Sequence, residues 1–388
     1  MRALGVVALL AALALAGCAT PASEVADAPL ASAGSRPPPV VVAVIDTGIN
    51  PYHLNFRGGP GFASVPGFPA DALVLDLAFD AEDYERALEA DAEEWSRVGP
   101  GALVRFPGTR LAGISLGKDP VSARLVLEGS YPPSAHYLLD DRGHGTAVAD
   151  SVLAAAPDAH VLMVQVEDDE RIADAMLWIA QQPWIDIVSV SAATWVEEYA
   201  QGEASMGLPP AYKAAHDAGK LIFNGAGNEP VPHFSGEHSG PSFVVAVGGA
   251  QNATRGETRI AARFPDIVSD FEQERAMPHT LDETDDVGGT SFSTPYAAGA
   301  AAQALWLARA AGASPTADAL RAAVEAVALA WGPTDWRPRL EPREILLSNP
   351  VLVPAAQMGW GYFGPELSQA AADVLLGAEA PAKARETV

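Results

Sequence analysis

The spacing of apolar positions changes several times along this chain, and each change marks an element. Val40-Val41-Val42-Ala43-Val44-Ile45 is a continuous, largely β-branched run, which predicts a strand buried on both faces of a parallel sheet. Beyond residue 159 the pattern alternates. HVLMVQV reads as a strand, ERIADAMLWIAQQ as a helix, IDIVSVS as a strand, PAYKAAHDAG as a helix, and KLIFNGAG and SFVVAVGGA as two further strands. Such alternation predicts right-handed βαβ units. The expected fold class is α/β: a doubly wound, mostly parallel sheet with helices on both faces.

Three other segments have helical character. AAGAAAQALWLARA follows a run of small residues and carries few charges, so it predicts a buried helix. TADALRAAVEAVALAW predicts an amphipathic or buried one. In DAEDYERALEADAEEW, Tyr84, Leu88 and Trp95 fall at helical spacing beneath an acidic face, the pattern of a docked, solvated surface helix. The stretch 56–136 around it opens Gly/Pro-rich and carries no chemistry that can be named. A polar, acidic stretch follows SFVVAVGGA and leads to Ser291.

The two ends stand apart from this pattern. MRALGVVALLAALALAGCAT has one charged side chain, an apolar run and then small residues, a secretory signal too short to span a membrane. Leu15-Ala16-Gly17-Cys18 resembles the lipobox of prokaryotic lipoproteins, which implies cleavage after residue 17 and a lipid on Cys18. Read without that resemblance, Cys18 is part of a cleaved signal and nothing more. It is the one cysteine in the chain, so no disulfide can form within it. Residues 18–39, rich in Ala, Pro and Ser, read as a flexible tether, residues 40–377 as the folded domain, and AEAPAKARETV (378–388) as a disordered tail. The expected location is extracytoplasmic, with the chain held to a membrane through its N-terminal lipid.

Charge narrows the partners. The formal net charge is −25 and the chain has four lysines, Lys118, Lys213, Lys220 and Lys383. Nucleic acid is excluded as an expected partner, because phosphate binding needs basic patches and none is visible.

Four polar motifs sit where the predicted strands end or helices begin. Asp46-Thr47-Gly48 follows the first strand, at the position where open α/β sheets place their sites; alone it is equally an ordinary turn. In Asp140-Asp141-Arg142-Gly143-His144-Gly145-Thr146, glycines flank a histidine at the head of an apolar helix. Its neutral imidazole could take a hydroxyl proton near pH 7, or it could be a loop histidine. Asn228, in Asn224-Gly225-Ala226-Gly227-Asn228, could donate a hydrogen bond into a site or simply make a turn. Ser291, in Gly288-Gly289-Thr290-Ser291-Phe292-Ser293-Thr294-Pro295, reads as a helix cap or as a nucleophile at a helix N-terminus, where backbone N–H groups favour developing negative charge.

Together these motifs resemble the subtilase family of serine endopeptidases over about residues 40–377. VVVAVIDTGIN is similar to its aspartate motif, with His53-Leu54-Asn55-Phe56 as the short segment after it. DDRGHGTAVA resembles the histidine motif, NGAGNEP the oxyanion motif, GGTSFSTPYAAG the serine motif and GWGYFGP the closing Gly-aromatic-Gly element. The order aspartate, histidine, serine is that of subtilisin. The resemblance implies Ser291 as nucleophile, His144 as general base and acid, Asp46 as its orienting carboxylate, and Asn228 as oxyanion donor. Proteins or peptides would be the substrates.

Three departures bear on substrates. Ser191-Ala192-Ala193 stands where many subtilases carry Ser-Leu-Gly along the substrate cleft, and a methyl at Ala193 would narrow the main specificity pocket. The span from Asp46 to His144 exceeds the usual one, which implies an insertion near the cleft within 56–136. The tether is too short for the folding pro-domain that many secreted subtilases carry.

No cofactor is expected. Calcium often stabilises subtilases, but no acidic run here has an assignable loop signature. The cluster His233, Glu237 and His238 lacks HExxH spacing and is not expected to hold a metal. The competing reading is a surface lipoprotein on the same fold that binds peptides without cutting them, or whose cleft is occluded. A G-x-S-x-G elbow is absent, against an α/β-hydrolase.

Overall fold

The computed structural model describes residues 37–116, 138–140, 142–166, 171–192, 208–228, 243–250, 265–328 and 361–380. The apolar run forms β1 (Val41–Asp46), every residue of it buried. The other strands are β2 (Leu73–Val74), β3 (Val104–Arg105), β4 (Leu111–Ser115), β5 (His160–Gln165), β6 (Ile187–Val190), β7 (Leu221–Gly225), β8 (Val244–Ala250) and β9 (Ile267–Asp270). They make one sheet in the order β2-β3-β4-β5-β1-β6-β7-β8-β9. The β3–β4 pair is antiparallel and the other pairs run parallel. A separate antiparallel hairpin, β10 (Glu272–Ala276) with β11 (Thr284–Gly288), leads directly into the Ser291 helix.

The two-residue period of β1 divides the core into two layers. Val40, Val42 and Val44 pack with α3 (His144–Ala155), α6 (Thr290–Ala310), α7 (Ala317–Val327) and α8 (Ser368–Leu375). The helices α1 (Tyr84–Ala90) and α2 (Ala92–Ser96) join that layer through Tyr84, Leu88 and Trp95. Val41, Ala43 and Ile45 pack on the other side with α4 (Ile172–Ala180) and α5 (Leu208–Asp217). Helices therefore cover both faces of a mostly parallel sheet, as the alternation predicts. The alanines of α6 at 297, 298, 300, 301, 302, 304 and 308 are buried. Small side chains let this helix approach both the sheet and α3 closely.

Two regions carry features that local periodicity does not express. The expected single acidic surface helix breaks at Asp91, which caps α1 and precedes α2. Its side chain is drawn inward, accepting from Tyr52 Oη at 2.9 Å and Ala78 N at 2.8 Å. The stretch read as an insertion contributes β2, β3 and β4 to one edge of the central sheet in its described part. β2 and β3 have two residues each, too few for a period to show. No helix among the described residues is long and apolar enough to cross a membrane.

Candidate active site

The strand order puts the site on one sheet edge. β5 and β6 lie on either side of β1, so the C-terminal end of β1 is a topological switch point, where open α/β sheets form their crevices. Asp46 ends β1, Ser191 follows β6 and Asn228 lies three residues past β7. His144 and Ser291 open α3 and α6.

Asp46 and His144 meet directly. Asp46 Oδ1 lies 2.8 Å from His144 Nδ1 and also accepts from Thr47 N at 2.8 Å. The Asp46 side chain is 4% exposed and that of His144 35%, so the carboxylate is sealed while the imidazole faces the cleft. An ionised carboxylate only accepts, which assigns the proton to Nδ1 and leaves Nε2 of the neutral ring as the acceptor. Burial works against the imidazolium, but the Asp46 charge, its hydrogen bond and the charge of Asp140 outweigh it and raise the pKa above the ordinary value. The close approach requires Gly145, where a Cβ would meet Gly48 O at 2.2 Å.

Ser291 sits in the first turn of α6. The ring of Phe292, the next residue, lies 5.5 Å from the His144 ring at 46°. Ser291 Oγ donates to Ser191 O at 3.4 Å, a long and weak contact. Among the described residues no hydrogen bond joins it to His144. Pro295 lies inside the helix and has no N–H, so the carbonyl of Ser291, four residues back, loses its intrahelical donor. Ser191 Oγ replaces that donor at 2.7 Å. The first turn of α6 is thereby tied to the end of β6.

Asn228 is oriented by the same turn. Its Oδ1 accepts from Thr290 N at 2.9 Å and Thr290 Oγ1 at 3.1 Å. With the oxygen so engaged, Nδ2 is the group left to donate into the cleft. The backbone N–H of Ser291, at a helix N-terminus, is a second donor on this side.

The structure thus brings Asp46, His144, Ser291, Asn228, Ser191 and Ala192 to one edge. Ala193, Cys18 and the cluster His233, Glu237 and His238 lie outside the described residues. Among the described residues no group of three or more His, Cys, Asp or Glu is placed to hold a metal. His53 is not a second base. Its Nε2 donates to Glu283 O at 2.9 Å, its Nδ1 accepts from Asn55 N at 3.2 Å, and burial holds its pKa low. Sequence reasoning did not single out Thr47, Asp140 or Phe292. Their only signal was position: one residue after Asp46, four before His144 and one after Ser291.

The profile of the Subtilase family matches residues 39–332. No curated protein matches the chain. Among solved structures the chain is similar to the prenylagaramide maturation protease PagA, at 18% identity and a TM-score of 0.51, covering 87% of this chain and 95% of that one. It is similar to an S218A mutant of the PatA protease domain at 17% identity and a TM-score of 0.53, with coverages of 90% and 100%. A lanthipeptide protease aligns at 16% identity and a TM-score of 0.52, with coverages of 86% and 88%. These likenesses concern the fold.

Proposed function

The chain belongs to the subtilase family, and from that premise we propose that it is an extracytoplasmic serine endopeptidase working through Asp46, His144 and Ser291. The observation that carries this reading is the 2.8 Å contact of the buried Asp46 carboxylate with Nδ1 of the half-buried His144 ring. It leaves Nε2 facing the cleft as a base.

In this reading Ser291 Oγ attacks a peptide carbonyl while His144 Nε2 takes its proton. Asp46 stabilises the imidazolium that forms. The tetrahedral oxyanion is held by Asn228 Nδ2 and the Ser291 N–H, donors fixed before the reaction begins. His144 then protonates the leaving amine, and water, activated by the same imidazole, hydrolyses the acyl-enzyme. The 3.4 Å bond of Ser291 Oγ to Ser191 O is weak enough to be given up when substrate arrives; serine–base bonds commonly tighten only in the Michaelis complex.

That same bond is the one observation favouring the alternative, a peptide-binding or occluded protein on this fold. Casein hydrolysis by the purified chain, run beside fluorophosphonate labelling, separates the readings. Turnover supports the peptidase, labelling without turnover supports occlusion, and neither supports a binder.

We also propose that Cys18 carries the lipid that holds the chain to a membrane, a reading that rests on the Leu15-Ala16-Gly17-Cys18 motif. Cys18→Ser is expected to release the protein from membranes. Unchanged fractionation would reject the anchor without touching the peptidase reading.

A further inference from the structure

Asp46 and His144 lie 98 positions apart in sequence, so their contact depends on how two separate segments are held together. Between those segments lies a third carboxylate. Asp140 is 1% exposed. Its Oδ1 accepts from Thr47 Oγ1 at 2.8 Å and from Gly143 N at 2.8 Å. Its Oδ2 accepts from Thr146 N at 2.7 Å.

The directions of these bonds are determined. Thr47 Oγ1 accepts from Gly145 N at 3.0 Å, and Thr146 Oγ1 from Asn50 N at 3.0 Å. The Thr47 hydroxyl therefore has its single proton left for Asp140. All three contacts donate to the carboxylate and favour its ionised form. Two of its donors, Gly143 and Thr146, flank His144, and a third, Thr47, is the residue that follows Asp46.

We infer that Asp140 is the positioning residue of the Asp46–His144 pair: one buried carboxylate that ties both segments together and adds a second negative charge behind the imidazole. This rests on the reading of His144 as the base. Burial pushes the pKa of Asp140 up, and the bonds from Thr146 and Thr47 oppose that rise. The Asp140 charge in turn favours the imidazolium of His144. Among the described residues the titratable groups facing Asp140 are Asp46 on β1, His144 on α3, and His279 from the loop joining β10 and β11, whose Nε2 donates to Asp140 O at 2.9 Å. Arg142 is exposed.

The test is an NMR titration of His144 in the full-length chain, wild type against Asp140→Asn, with fluorophosphonate labelling measured in parallel. The amide keeps the shape, removes the charge and places a donor where an oxygen must accept. His144 is expected to titrate at lower pH in the variant, and labelling per folded molecule to slow at least about tenfold, as misplacement of a reacting group implies. A role confined to stability would lower the folded fraction and leave the titration where it was; that result overturns the inference. Thr47→Val keeps the charge and removes the Thr47 hydroxyl with its two bonds, to Asp140 and from Gly145 N. It is expected to make the Nδ1 proton of His144 exchange faster with solvent without lowering the titration. If Asp140→Asn does not fold, unchanged exchange in Thr47→Val overturns the inference by itself. Neither NMR readout needs turnover, so a wild-type chain that fails to label would reject the peptidase reading and leave this test standing.

Discussion

Gly299 of α6 lies against the carbonyl of Val152 of α3: a Cβ at Gly299 would come 2.4 Å from that oxygen and 2.8 Å from Ala155 Cβ. These are the helices that carry Ser291 and His144 in their first turns, so the glycine sets how closely nucleophile and base approach. Gly299→Ala must push the helices apart. The expected cost is about 1–3 kcal/mol, typical of an overpacked core, with slower fluorophosphonate labelling. Urea unfolding and labelling rates check this; a variant with the wild-type midpoint and rate contradicts it.

The tie between Ser191 and Ser291 can be tested against its cause. Ser191→Ala leaves the Ser291 carbonyl without its side-chain donor, at an expected cost of about 1–3 kcal/mol for an unsatisfied acceptor. Pro295→Ala restores a backbone N–H that can reach the same carbonyl. The double variant should therefore lose less stability than the two single losses added. A double-mutant cycle by denaturant unfolding measures the coupling, and strict additivity would contradict the link.

Asn228→Ala removes the amide whose oxygen is held by Thr290. The expected effect is a fall in kcat of about 10²–10³, the cost of losing one oxyanion donor, with little change in KM. A large rise in KM at unchanged kcat would place Asn228 in substrate binding instead.

The pH dependence follows from His144. Its pKa is raised above the ordinary 6.5: burial lowers it, and the charge and hydrogen bond of Asp46, with the charge of Asp140, raise it by more. The base must be neutral, so kcat/KM should climb with pH through a midpoint above that value. Stability runs the other way. A histidine whose folded pKa is raised adds stability that is fully present below its unfolded pKa and is lost as pH rises through the folded one. Asp46→Asn should move the activity limb to lower pH and remove this part of the stability profile. An acid limb below pH 6.5 in the wild type would contradict the assignment.

Much of this was legible in the chain itself. Val40 to Ile45 announce a strand buried on both faces, and a carboxylate at its end marks a crevice. Tyr84, Leu88 and Trp95 are spaced to be buried, and they are. The break between them was not legible, because Asp91 turns inward to meet Tyr52 and Ala78, contacts that local periodicity cannot express. The strands β2 and β3 are too short to carry a period, and β9 and the hairpin run through a polar, acidic stretch. Asp140 was invisible for a related reason. Its importance lies in Thr47 on one side and Gly143 and Thr146 on the other, and only the folded chain brings these together.

The central claim is that Ser291 is a nucleophile activated by His144. The most direct test is labelling of the purified chain with a fluorophosphonate, followed by peptide mapping. One adduct on Ser291, lost in Ser291→Ala together with casein hydrolysis and strongly slowed in His144→Ala, is the result predicted. Labelling elsewhere, or hydrolysis that survives Ser291→Ala, would contradict it.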